Sequence, residues 1–340
     1  MTIREQTQQF EKETLSPYAA KSSETRGRTA PETECDIRTP FQRDRDRILH
    51  SKAFRRLKGK TQVFLSPEGD HYRTRLTHTL VVAQISRTVA RAMRLNEDLT
   101  EAIALGHDLG HTPFGHAGEE VLNRLAPGGF HHAAQSLRVV ERLEQEGRGL
   151  NLTFEVRDGI KRHSKGLGSL AEAREGNRTA TLEADIVRIC DAVAYANHDL
   201  DDAIRAGLVK AAEIPPIVNS ALGTTFSKRI NTLIHELVRS STDRIAMSSE
   251  AEEGLEELRK FLTARVYKSE ALQEAFGRAR QVLESLWNFY LAKPEEIPAD
   301  DASNAPLAVR VCDFLAGMTD RYALSRFQRH LVPHPWAEED

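Results

Sequence analysis

Cysteine is scarce in these 340 residues: Cys35, Cys190 and Cys312 are odd in number, far apart and without paired spacing. Their pattern excludes a disulfide framework and a thiolate zinc site, and it fits a reducing cytoplasm. Also lacking is any run approaching the roughly 18 apolar residues of a membrane span. The N-terminal MTIREQTQQFEKET has no apolar signal-peptide core, so the chain is expected to be soluble, cytoplasmic and without a membrane partner. Neither sign of charge prevails. The 47 Lys+Arg nearly balance 50 Asp+Glu, so the overall field favours neither nucleic acid nor an anionic membrane, and any polyanion site must be local. What is present is a 40% hydrophobic fraction on a chain long enough to bury one large core or two modest ones. A disordered or fibrous protein is thereby excluded.

Residues 1–40 hold only ten hydrophobic residues, with Pro17, Gly27 and Pro31 scattered among charges, and read as a polar N-terminal arm, mobile or partner-bound. From Phe41 to residue 340 helical patterning dominates and predicts a single all-α domain. The one strand signal is a small hairpin, Gln62–Leu65 pairing with His71–Thr74 across Ser66-Pro67-Glu68-Gly69. Helices are expected from about Leu76 to Met93, and from an Asn96 or Asp98 cap to Leu109, stopping at Gly110. Another should start at Thr112-Pro113, with proline at the first helical position, and end at Pro127-Gly128-Gly129. The rest cover roughly 133–146, 153–162, 181–204, 223–247, 252–265, 270–291 and 305–329. The stretches 166–177 and 295–306 read as loops.

The chemistry concentrates in HDLGHTPFGHAGE (107–119), which places His107, Asp108, His111, His116 and Glu119 within thirteen positions. Adjacent His107 and Asp108 cannot both face the core on helical geometry, yet both can reach one ion where a helix ends. Such a site needs further ligands. His78 lies in the 76–93 helix, and Asp191 sits among Ile, Val, Cys and Ala in LEADIVRICDAVAYANHDLDD, where a carboxylate needs a partner. Tyr195 and Asp199 follow Asp191 at i+4 and i+8, on the same helix face. A single histidine of this kind is more often a satisfied core residue; the joint pattern is not explained that way. Arg43–Lys60 adds eight Lys/Arg against two acids, either a solvated helix face or a patch for phosphate or single-stranded nucleic acid.

The chain resembles the HD superfamily and, within it, the deoxyguanosine triphosphate triphosphohydrolase family, related to the vertebrate dNTPase with SAM and HD domains. The resemblance runs from RDRDRILHSKAFRRLKGKTQVF (43–64) through RTRLTHTL (73–80), HDLGHTPFGHAGE (107–119), FHHAAQSLRVVERL (130–143) and DAVAYANHDLDDAIRAG (191–207) to FLAGMTDRYAL (314–324). It implies an HD-type helical domain with a C-terminal helical extension. It also implies a metal-dependent enzyme that splits dNTPs into deoxynucleoside and tripolyphosphate. His78, His107, Asp108 and Asp191 occupy the positions of the family's metal ligands, a set that suits Mn, Mg, Fe, Co or Ni. His116 with Glu119 matches the catalytic histidine and its acidic partner, while His111 and His132 match histidines near the phosphates. His131 stands where members often carry Glu. Gln62 matches a glutamine that meets the sugar 3′-hydroxyl, Arg75 a phosphate-binding arginine, and Tyr195 and Asp199 the sugar side. Lys165 and Arg321 are further candidates for phosphate or an intersubunit surface, since the resemblance implies a homo-oligomer. Two other activities share such a metal shell or fold: phosphohydrolysis of nucleoside monophosphates or alarmones, and nucleic-acid-binding regulation.

Overall fold

The computed structural model describes residues 1–63, 73–164, 179–298 and 305–333. It is 69% helical, with 15 helices and no sheet among the described residues. In chain order these are α1 (Ile3–Thr14), α2 (Pro40–Leu49), α3 (Lys52–Arg56), α4 (Arg75–Ala92), α5 (Glu97–Gly106), α6 (Gly115–Leu125), α7 (His132–Arg138) and α8 (Phe154–Arg162). There follow α9 (Leu182–Arg205), α10 (Pro216–Leu222), α11 (Phe226–Ser240), α12 (Ser249–Leu262), α13 (Glu270–Ala292), α14 (Leu307–Ala316) and α15 (Asp320–Leu331). No helix among the described residues is long and apolar enough to cross a membrane.

Side-chain caps start the helices that carry the site. Thr74 accepts from Thr77 N at α4, Asn96 from Leu99 N at α5 and Thr181 from Ala184 N at α9, each satisfying a donor that the helix itself leaves unpaired. Helix α9 is the axis of the fold. Ile186, Val187, Cys190, Val193, Ala194, Leu200 and Ala203 are all fully buried along its length, where α4, α5, α8, α11 and α12 pack against it. A fully buried Val, Leu or Ile contributes about 1.5–3 kcal/mol, so this helix is held by packing rather than by propensity. Helix α13 closes the body by packing on α6, α14 and α15.

Several sequence boundaries shift. The third expected helix starts at Gly115 rather than at Pro113, because Phe114 (φ 61°) and Gly115 (φ 56°) are left-handed and form a turn first. A Cβ on Gly115 would lie 2.9 Å from the Gln62 carbonyl oxygen, so this turn also sets how closely Gln62 approaches. The expected helix over 223–247 is confined to α11 (Phe226–Ser240), preceded by a short α10 that ends at Gly223 (φ 105°), and 305–329 divides where Thr319 caps α15. The hairpin expected over 62–65 and 71–74 falls largely outside the described residues; its base is an isolated antiparallel bridge between Thr61 and Thr74. The polar N-terminal segment is docked rather than free. Thr25 and Arg26 donate to Glu155 of α8, Ala20 N donates to Glu183 of α9, and Arg28 pairs with the buried Asp44 of α2. Buried polar bonds supply what its poor apolar content cannot.

Candidate metal centre and active site

Three elements deliver one cluster. Helix α5 ends at Gly106, so His107 and Asp108 lie in the turn beyond it, while His78 comes from the first turns of α4 and Asp191 from the middle of α9. His78 Nε2 is 3.0 Å from Asp191 Oδ1, and His107 Nε2 is 3.6 Å from the same oxygen and 3.4 Å from Asp108 Oδ1. His107 Nδ1 donates to the Ala104 carbonyl at 2.6 Å, which leaves Nε2 as a bare lone pair. That nitrogen is buried and has no protein partner. A buried lone pair facing two carboxylates and a second imidazole is what a divalent cation requires, and the four residues fit one. Burial opposes the charge of Asp108, but His107, His111 and Arg75 outweigh it and hold the carboxyl well below its usual range. Arg75 donates to its second oxygen at 2.9 Å.

The turn after α5 is clamped onto α7. Gly110 N donates to Ser136 Oγ at 2.9 Å, and that hydroxyl donates to the His107 carbonyl at 2.7 Å. A Cβ at Gly110 would sit 2.1 Å from Ser136 N, so glycine alone permits this approach. As a result His132, the first residue of α7, stacks on His111 with centroids 4.0 Å apart. His111 Nε2 in turn lies 3.1 Å from Asp108 Oδ1. Exposed His131 caps α7 and stacks on His132 with centroids 4.7 Å apart.

The pairing expected of His116 and Glu119 is not the one observed. Glu119 Oε1 accepts from His132 N at 2.9 Å and from His132 Nδ1 at 2.8 Å, because the α7 N-terminus lies over that face of α6. Burial disfavours the Glu119 carboxylate, yet the His132 bond and the field of His132 and His111 hold it well below the usual range. His116 instead bonds the Tyr195 hydroxyl through Nε2. Its edge is open to the cavity, but protein surrounds the rest, and this desolvation with the Arg75 charge pushes the imidazole down to about 4.

The cluster opens into a cavity of about 590 Å³. Gln62, Arg75, His111, His116, His132 and Tyr195 line it. Asp199 does not; it lies behind Tyr267, whose hydroxyl donates to it, and burial pushes its carboxyl up to about 8. Arg321 is exposed and borders a separate groove with Lys52, Arg55 and Lys58, so it is not brought to the site. Its neighbour Asp320 is, indirectly: its carboxylate takes Thr61 N at 2.9 Å and Phe114 N at 3.0 Å, tying the Gln62 segment to the turn before α6. Lys165 lies outside the described residues. Half of the basic run is spent on internal bonds, with Arg45 on Asp98, Arg43 and Arg47 on Glu32, and buried Lys60 donating to the His111 and Ala316 carbonyls, while Lys52, Arg55, Arg56 and Lys58 line the groove beside Arg321.

Sequence inspection missed further cavity residues: His163, Arg188, Arg259, Tyr267 and Arg280. His163 follows the same device as His107, donating through Nδ1 to the Ile160 carbonyl at 2.7 Å, and KRHSK was a visible signal for it. Arg259 and Tyr267 had none. They reach the cavity because a π-helical turn, Thr263–Tyr267, continues α12 and α12 packs on α9.

Comparison with known proteins agrees with this geometry. The HD domain model matches residues 75–196, and the phosphohydrolase-associated domain model matches 245–329. Proteins described as deoxyguanosinetriphosphate triphosphohydrolase-like are 52% identical in Caldanaerobacter subterraneus subsp. tengcongensis, over all of this chain and 99% of that one. Others are 51% identical in Desulfatibacillum aliphaticivorans (98% and 99% covered) and 45% in Clostridium tetani (98% and 97%). A solved structure of a hypothetical protein from Aquifex aeolicus aligns with a TM-score of 0.48 at 20% identity, over 85% of this chain and 69% of that one. Identity above one half across the full length, on top of an HD cluster with its ligand atoms converged, places the chain in the deoxyguanosinetriphosphate triphosphohydrolase-like family of HD phosphohydrolases.

Proposed function

We propose that this HD phosphohydrolase is a metal-dependent dNTP triphosphohydrolase, which cleaves between the 5′ oxygen and the α-phosphorus to release deoxynucleoside and tripolyphosphate. One observation carries the proposal. A single cavity is lined by His78, Asp108 and Asp191, with His107 directly behind the two carboxylates, and by Arg75, Arg188, Arg259, Arg280, Tyr195, Tyr267 and Phe276. Guanidinium groups recognise phosphate oxygens, and aromatic faces suit a sugar and base. The names of the relatives support the same substrate class.

A divalent cation held by His78, His107, Asp108 and Asp191 would polarise an α-phosphate oxygen and lower the pKa of a bound water, with Mn, Mg, Fe, Co or Ni all suited to the donor set. The chain supplies the rest. Arg75, anchored on Asp108, donates to the phosphate, and His111 stacked on His132 presents a second pair of imidazoles to it. His116 is the proton donor to the leaving 5′ oxygen. Desolvation and the Arg75 charge push it down to about 4, and the negative charge of a triphosphate acts in the opposite direction, favouring the imidazolium. Gln62 Oε1 is buried without a partner, the acceptor a 3′-hydroxyl needs. The Tyr195 ring leaves the 2′ position against an apolar face.

The test is product analysis by anion-exchange HPLC with the four dNTPs, singly and mixed, in Mn²⁺ or Mg²⁺. Equimolar deoxynucleoside and tripolyphosphate are expected. Release of pyrophosphate or orthophosphate, or turnover confined to monophosphates or alarmones, would overturn the proposal.

A further inference from the structure

His198 is fully buried on α9, two turns beyond Asp191, and takes no part in the chemistry above. Its Nδ1 lies 3.2 Å from His78 Nδ1. Two ring nitrogens at that distance share one proton, so one of them donates and the other accepts. The choice decides what His78 can do on its opposite edge, where Nε2 faces Asp191 Oδ1 at 3.0 Å.

A neutral imidazole that offers Nε2 to a cation must carry its proton on Nδ1. The partner in reach of that proton is His198 Nδ1, which must then be a lone pair, with the His198 proton on Nε2. His198 Nε2 is buried and has no hydrogen-bond partner, so either a proton or a lone pair can reside there without breaking another bond. The ring is kept in place from two sides. It stacks on Phe226 of α11 with centroids 5.8 Å apart and an interplanar angle of 10°, and its backbone carbonyl accepts from Arg73. The other imidazole of the cluster, His107, is oriented by the Ala104 carbonyl, an acceptor that cannot change role. His198 can.

We propose that His198 is a positioning residue for the metal centre: it accepts the Nδ1–H of His78 and so presents the Nε2 lone pair of His78 to the cation. The proposal rests on the ligand set above. Without a cation the opposite arrangement satisfies every bond, with His78 Nε2–H donating to Asp191 and His198 Nδ1–H donating to His78. Holding a cation would require the reverse. The Nε2 proton would leave His78, the proton between the two Nδ1 atoms would pass from His198 to His78, and His198 would take up one proton at Nε2. The pair holds two protons before and after.

The test uses the full chain labelled with ¹⁵N-histidine, stripped by chelator and reloaded with Zn²⁺ as a diamagnetic probe. Long-range ¹H–¹⁵N spectra should show His78 protonated on Nε2 in the stripped protein and on Nδ1 in the loaded one, with His198 changing in the opposite sense. In parallel, His198→Phe keeps the stacking on Phe226 but removes the acceptor, and should weaken Zn²⁺ and Mn²⁺ binding about 10- to 100-fold by calorimetry. His198→Asn, whose oxygen replaces Nδ1 as acceptor, should restore most of the affinity. Wild-type affinity in His198→Phe, or an unchanged His78 tautomer on loading, overturns the proposal. Should His198→Phe fail to fold, the wild-type spectra and the Asn variant still decide it. A wild-type chain that binds no divalent cation would instead refute the metal-centre assignment itself.

Discussion

Replacing Glu119 by Gln tests which histidine the carboxylate serves. Glu119 Oε1 receives two donors from His132, at 2.9 and 2.8 Å, and both side chains are more than four-fifths buried. Glutamine keeps an acceptor oxygen but loses the charge. Charge-assisted bonds are roughly twice as strong as neutral ones, with a net worth of about 1.5–3 kcal/mol each, so the two bonds together lose about 1.5–3 kcal/mol. Expressed in the transition state, at 1.36 kcal/mol per decade, this lowers kcat about 10- to 150-fold. Metal content should not change, because Glu119 is not among the four proposed ligands. Double-mutant cycles on kcat separate the two pairings. Glu119→Gln combined with His132→Asn should cost little more than either change alone, whereas Glu119→Gln with His116→Asn should be close to additive. The reverse pattern would return Glu119 to His116, and an equal loss of bound metal would move Glu119 into the metal shell.

Two other outcomes follow from the geometry. Tyr195→Ala should narrow the dNTP-over-NTP preference by roughly 5- to 150-fold, the about 1–3 kcal/mol cost of desolvating an unpaired 2′-hydroxyl, whereas Tyr195→Phe should keep the preference while losing the His116 bond. Competitive rates with dGTP and GTP decide it, and full selectivity in the alanine variant would make Tyr195 a packing residue. Burial pushes the Glu183 carboxyl up to about 7 from 4.5 where it receives Ala20 N and Asn96 N. A raised folded-state pKa means its stabilisation is complete below about 4.5 and is lost as pH rises through about 7. Glu183→Gln should therefore melt with the wild type near pH 4.5 and be more stable at pH 8, by up to about 3 kcal/mol. A pH-independent difference in thermal melts would refute the assignment.

Periodicity and punctuation sufficed for the all-α class, because helical faces and caps are local signals that act over three or four residues. The cluster was legible for the same reason. His107, Asp108, His111, His116 and Glu119 are close in sequence, and Asp191 stood out as a carboxylate inside an apolar helix face. Partner choice was not legible. The family resemblance paired His116 with Glu119, one helical turn away, but docking of α7, permitted by Gly110 and fastened by Ser136, delivers His132 to Glu119 and leaves His116 to Tyr195. The docked N-terminal segment was hidden likewise, since its anchors Asp44, Glu155 and Glu183 lie on other helices. Arg259, Tyr267 and Arg280 carry no mark in sequence at all; they join the cavity only because α12 packs on α9 and α13 packs on α6. Composition and local spacing thus determined the helices and pointed to the His/Asp cluster, whereas tertiary packing decided each hydrogen-bond partner and the far wall of the cavity. The reason is that a partner more than about one helical turn away is selected by how whole helices stack, which no local pattern encodes.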